Sequence, residues 1–211
     1  IGNKVFAGCT SLEKIKLLGK TKFVESYYKQ YRFSYDNSPF YGCDNLFEVE
    51  LDKGIEKIPN ITFSYLPSLR SVKATTSLKR IDSEAFLGCS SLEVFNGSSS
   101  VTNIGDNAFN GCSSLVGPLE LNHAEIIGVR AFNGCGLLSG DLILQRLEYL
   151  GDNAFNSCSS LTSAVTHQLK NMGASAFEGC ISLRECVIDG ESSIGNKVFA
   201  GCTSLEKIKL L

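Results

Sequence analysis

The sequence predicts one elongated solenoid of stacked short units, with a parallel sheet of short strands along one face. Three observations carry this. Phenylalanine recurs at positions 6, 40, 63, 86, 109, 132, 155, 177 and 199, and from Phe40 to Phe155 every interval is 23 residues, then 22 twice. Three residues after each Phe stands Cys9, Cys43, Cys89, Cys112, Cys135, Cys158, Cys180 or Cys202, with Leu66 once in that slot, and three residues further on comes a Leu. After that Leu the apolar residues alternate with polar ones. A unit this short cannot bury an apolar face alone, so the units must stack.

The fullest unit is Ile104–Leu115, and it returns at Leu150–Leu161 with only the first residue and one Gly changed. Looser copies start at Ile1, Ile81, Ile127, Met172 and Ile194. The alternating segments Leu12-x-x-Ile15-x-Leu17, Leu46-x-x-Val49-x-Leu51 and Leu69-x-x-Val72-x-Ala74 read as short strands with one inward face. Extra residues near Pro118 and Asp141 suggest bulges there. The second half of each unit, as in Val101–Phe109, is too brief for a long helix. It reads as a turn, a short extended piece and a 3-10 or single helical turn. The whole chain, 1–211, is thus expected to form one repeat domain of about nine units.

Leu-x-x-Ile-x-Leu followed by Ile-Gly-x-x-Ala-Phe-x-Gly-Cys-x-x-Leu, at 23 residues, closely resembles the BspA-like leucine-rich repeat, also described as the Treponema pallidum-type repeat. That resemblance implies a curved, right-handed leucine-rich-repeat solenoid. It also implies a surface protein that adheres to host matrix proteins or to other cells, outside the cell or on its surface, without enzymatic activity.

Composition narrows the alternatives. The 20 basic and 22 acidic residues give a net charge of −2, with no block of like charge, so nothing electrostatic points to nucleic acid or an anionic membrane. No apolar run approaches the roughly 20 residues of a membrane helix, so no membrane insertion is expected. The chain opens at Ile1 in mid-repeat with no visible signal peptide, which leaves open a leader outside this sequence. The sequons Asn60-Ile-Thr62 and Asn96-Gly-Ser98 are short, common patterns that would suit a secreted protein.

Two departures from the repeat attract attention. Between Phe6 and Phe40 the interval is 34, which places a Tyr-rich insertion within residues 19–39. It carries Tyr27, Tyr28, Tyr31, Arg32 and Tyr35. These aromatics either cover a locally irregular core or form a contact site, since insertions in solenoids cluster on one face and tyrosine suits recognition. Nearby, the outward strand positions offer Phe47, Glu48, Glu50, Arg70 and Lys73, whereas later strands present small neutral residues. The N-terminal third is therefore the better candidate for a protein partner.

The second departure lies at the ends. Residues 194–211 repeat residues 1–18 without a change, at an offset of 193. Neither end carries the polar cap that shields an open solenoid core. The chain could be one tile of a longer array, an engineered segment with matching ends, or a model of a continuous filament. Each makes Ile1, Phe6, Leu12 and Ile15 candidates to meet Phe199, Leu205, Ile208 and Leu210 in end-to-end fibres. This structural role is the alternative to adhesion.

The chemistry expected of the cysteines is modest. Stacking puts eight in a column about 4.8 Å apart, a separation that suits a disulfide, but with parallel side chains that suit it poorly. Buried thiols acting as small apolar groups fit best, and Cys186 falls on an inward strand position. No Cys-x-x-Cys, phosphate-binding loop, nucleophile elbow or zinc-type His pair occurs, so no metal, cofactor or catalytic residue is expected. His123 and His167 read as solvated turn residues.

Overall fold

Most repeats close on themselves through one long strand, one very short strand and a tight turn, and these three sides stack separately. The structure is a computed structural model describing residues 1–23 and 35–211. Lys14–Leu17, Glu48–Leu51, Ser71–Lys73 and Val94–Asn96 form a four-stranded parallel sheet. Gly140–Leu144, Leu161–Thr166, Glu185–Ile188 and Lys207–Leu210 form another. Registers are in step, with Ile15 beside Val49 and Val49 beside Val72, so the inward residues of successive strands share one row.

The two long-strand sheets are separated at Val116–Leu121, which forms no strand. A bulge was expected near Pro118, and a break occurs instead. Proline has no N–H to give to a neighbouring strand. Near Asp141 the expected irregularity is present: the ladder shifts between Leu161 and Ser163 against Gly140 and Asp141.

The short extended pieces make a sheet of their own. Seven two-residue strands, from Lys57–Ile58 through Arg80–Ile81, Asn103–Ile104, Ile126–Ile127, Tyr149–Leu150 and Asn171–Met172 to Ser193–Ile194, pair in parallel. The second residue of each points inward, and all but Ile194 are buried. Among the described residues, helix is confined to the 3-10 turns Tyr35–Asn37 and Ser98–Ser100.

The core is a row of phenylalanines. Consecutive rings from Phe6 to Phe199 stack nearly parallel, with centroids 5.1 Å apart at most steps and 6.0 Å at the last. The row holds because the turn backbones are laddered too. Phe86 N–H donates to the Ala108 carbonyl and Phe109 N–H to that of Ala131, at 2.8 and 2.7 Å. The thiols of Cys43, Cys89, Cys112, Cys135, Cys158, Cys180 and Cys202 also each donate to the carbonyl of the Phe one repeat earlier, at 2.9 to 3.2 Å. The cysteine slot is therefore apolar packing plus one weak hydrogen bond, which Leu66 gives up.

The Gly of Ile-Gly sets how closely the turns approach. A Cβ on Gly151 would lie 2.5 Å from the Gly128 carbonyl carbon and the Val129 nitrogen. Gly2 occupies the same slot with nothing within 4 Å of such a Cβ. Gly151→Ala should thus cost about 1–3 kcal/mol by overpacking rigid backbone, whereas Gly2→Ala should be near neutral. Equal effects in chemical denaturation would refute this account of the slot.

Candidate functional site

The outward face of the first long-strand sheet is a lattice of paired charges, set by strand register. Because side chains alternate, the inward Ile15, Val49 and Val72 leave Lys14, Lys16, Glu48, Glu50 and Lys73 facing out. Lys14 meets Glu48 at 3.6 Å, Lys16 meets Glu50 at 3.3 Å, and Lys73 bridges both carboxylates at 3.1 and 3.8 Å. The Lys73 hydrogen bond, then the Lys14 charge, holds Glu48 below the usual carboxylate range. Arg70 is exposed and forms no ion pair among the described residues.

Phe47 corrects one expectation. It is only half-buried rather than a free aromatic, because the Lys14 ammonium sits 5.1 Å from its ring centroid. The structure thus unites Phe47, Glu48, Glu50 and Lys73 in one surface row. Tyr35 lies elsewhere, among the turns. Tyr27, Tyr28, Tyr31 and Arg32 fall outside the described residues.

Around Tyr35 the turns carry a second cluster. Its ring meets Tyr65 edge-on, with centroids 4.5 Å apart. Hydrogen bonding to Tyr65, burial and the Glu84 charge push its hydroxyl up to about 12. Tyr65 escaped the sequence reading. It stands where Gly42, Gly88 and Gly111 stand in other repeats, and it keeps their left-handed backbone with φ 54°. A bulky residue there is an outlier. The replaced glycine was the available signal.

Glu84 beneath this pair is raised by burial first and by Asp106 second, and its buried Oε2 has no hydrogen-bond partner. Folding therefore favours the protonated form. That contribution is complete below the unfolded pKa and is lost as pH rises through the higher folded one. Glu84→Gln should raise the melting temperature at about pH 7 and leave it unchanged at about pH 3. Equal gains at both pH values would contradict the assignment.

The thiols face inward and are chemically quiet. All nine cysteines are free, Cys9 is exposed and Cys202 is half-buried, while the other seven are buried. Burial pushes Cys89, Cys135, Cys180 and Cys186 up to about 12. Alkylation of the folded chain, read by mass spectrometry, should label Cys9 first and Cys202 next, with the rest following only on unfolding. Prompt labelling of Cys112 or Cys158 would show that the column opens.

A charged patch returns at the far end, where Glu185 meets Lys207 at 3.0 Å and Lys209 at 3.7 Å. His123 is exposed, and His167 contacts Asp189 through Nδ1 at 3.3 Å.

Comparison with solved structures places this fold beside a leucine-rich repeat protein from Bacteroides ovatus, with a TM-score of 0.64 at 22% identity. The match covers 100% of this chain and 64% of that one, so this chain spans under two thirds of its length. A leucine rich cell surface protein from Faecalibacterium prausnitzii aligns more loosely, with a TM-score of 0.39 at 21% identity over 80% of this chain and 61% of that one. Comparison with curated proteins finds no match. The model of the BspA type leucine rich repeat region matches six copies, over residues 1–116 and 125–211. The chain belongs to the BspA-type leucine-rich repeat family.

Proposed function

We propose that the chain is a non-enzymatic protein-binding module, working in adhesion at the cell surface or outside the cell. The observation that carries this reading is the outward row Phe47, Glu48, Glu50, Arg70 and Lys73. It presents both signs of charge on a laddered sheet that is already ordered before a partner arrives. A fixed row loses little conformational freedom on docking, which favours affinity. Exposed Arg70 has a planar fork suited to a carboxylate on another protein.

The tyrosines of the 19–39 insertion form a separate proposed contact. Tyr35 already meets Tyr65 edge-on among the turns, apart from the outward row. The reading is non-enzymatic because seven of the nine thiols are buried in the core and His167 is engaged with Asp189.

The test is adsorption of the chain to a panel of immobilised extracellular-matrix proteins. Where binding is found, Arg70→Glu with Lys73→Glu should weaken it at least about tenfold, the cost of setting like charges against a complementary partner. Changing Tyr27, Tyr28, Tyr31 and Tyr35 to Ser tests the second contact. Both variants should stay cooperatively folded, with somewhat lower melting temperatures because Lys73→Glu faces Glu48 and Glu50 and Tyr35→Ser leaves Tyr65. Full binding by both would reject both assignments.

A further inference from the structure

Three Asn-Gly pairs occur in this chain, at 96–97, 110–111 and 133–134. Such a pair is reactive. With no Cβ on the glycine, its backbone nitrogen can reach the asparagine side-chain carbonyl carbon and close a five-membered ring. The fold treats the three pairs differently.

In two of them the reacting groups are engaged. Gly111 N–H donates to the Asn133 carbonyl and Gly134 N–H to the Asn156 carbonyl, each at 2.9 Å. The Asn110 side chain donates from Nδ2 to Asn107 Oδ1 and accepts at Oδ1 from Asn133 Nδ2, each at 3.0 Å. Attack at either pair requires the turn ladder to open first.

Asn96 and Gly97 escape both restraints. Asn96 ends the strand Val94–Asn96, which is the edge strand of the first long-strand sheet, and it is exposed. In the preceding repeat the equivalent Ala74 N–H donates to the Asn96 carbonyl at 2.9 Å. Gly97 finds no such acceptor, because Val116–Leu121 forms no strand beside it. Among the described residues its N–H has no hydrogen-bond partner, and neither has the Asn96 side-chain amide. The break in the sheet thus leaves one Asn-Gly pair with a free nucleophile and a free amide.

We propose that Asn96 is a site of spontaneous deamidation, with its own side-chain amide as substrate and water as co-reactant. The Gly97 nitrogen loses its proton and bonds to Asn96 Cγ. The Cγ–Nδ2 bond breaks, and ammonia departs with that proton. Water then opens the succinimide, leaving aspartate or isoaspartate at position 96, with no change of oxidation state. Register sets Asn96 beside Lys73, which already bridges Glu48 and Glu50. The product therefore brings a third carboxylate to Lys73. The site stands whether or not that outward row binds a protein; only its effect on a contact surface rests on the function proposed above.

The test is incubation of the folded chain at mildly alkaline pH, then peptide mapping by mass spectrometry that separates aspartate from isoaspartate. Asn96 should convert at least about tenfold faster than Asn110 or Asn133, whose reaction waits on local opening. In denaturant the three rates should converge, since local sequence alone then decides them. Asn96→Gln should abolish the acidic species that isoelectric focusing resolves, and its melt should match wild type because the side chain is exposed. Equal rates at the three sites in the folded chain would overturn the proposal. So would an intact Asn96 in the folded chain beside conversion in denaturant, or acidic species that persist in Asn96→Gln.

Discussion

The spacing between stacked repeats constrains everything else in this molecule. Parallel strands fix it near 4.8 Å, and the phenylalanine centroids answer at 5.1 Å along most of the row. Rings at that separation stack parallel and offset, and exclude water from one another's flanks. The turns must then approach as closely as the strands do. That is why Gly105, Gly128, Gly151, Gly173 and Gly195 leave no room for a Cβ against the preceding turn. The thiols follow from the same spacing, since each column Sγ from Cys43 onward lies 2.9 to 3.2 Å from the Phe carbonyl one repeat back.

Those constraints explain which parts were legible from residues alone. Phe, Cys and Leu recur because their slots tolerate little else, so the stack, the long strands and the buried thiols could be read directly. The short-strand sheet was harder. A two-residue strand such as Asn103–Ile104 shows no alternation, and only its pairing across repeats makes it a sheet. Pro118 was visible as an irregularity, but whether it bulged or broke the ladder depended on neighbours. Phe47 was misjudged for a related reason: its exposure is set by Lys14 on the previous strand, which lies 33 residues earlier in sequence. Tyr35 and Tyr65 meet through the fold rather than through any local motif.

Surface chemistry here is freed from the fold in a regular way. Inward positions are dictated by stacking, and outward positions are not, so charge can change from strand to strand without disturbing the core. The first sheet uses that freedom for the lattice around Glu48 and Glu50, and the last strands use it for Glu185 with Lys207 and Lys209. Each exposed pair adds little stability, on the order of 0–1 kcal/mol. Their value lies in the potential they present and the neighbours they admit. A binding module built this way can alter its partner without altering its scaffold.

Burial in such a stack belongs to the neighbour rather than to the residue. Leu17 and Leu210 have the same flanking sequence for eighteen residues, yet one is core and the other surface. Stability is accordingly a sum of contacts between adjacent repeats, and any repeat of matching sequence satisfies a given face equally well. Two identical repeats at either side of seven different ones therefore make their positions interchangeable in energy. What distinguishes them is the strand each lies against, Glu48–Leu51 for 1–18 and Glu185–Ile188 for 194–211. The outward lysines of the two copies accordingly pair with different strands, Lys14 and Lys16 with Glu48 and Glu50 and Lys207 and Lys209 with Glu185.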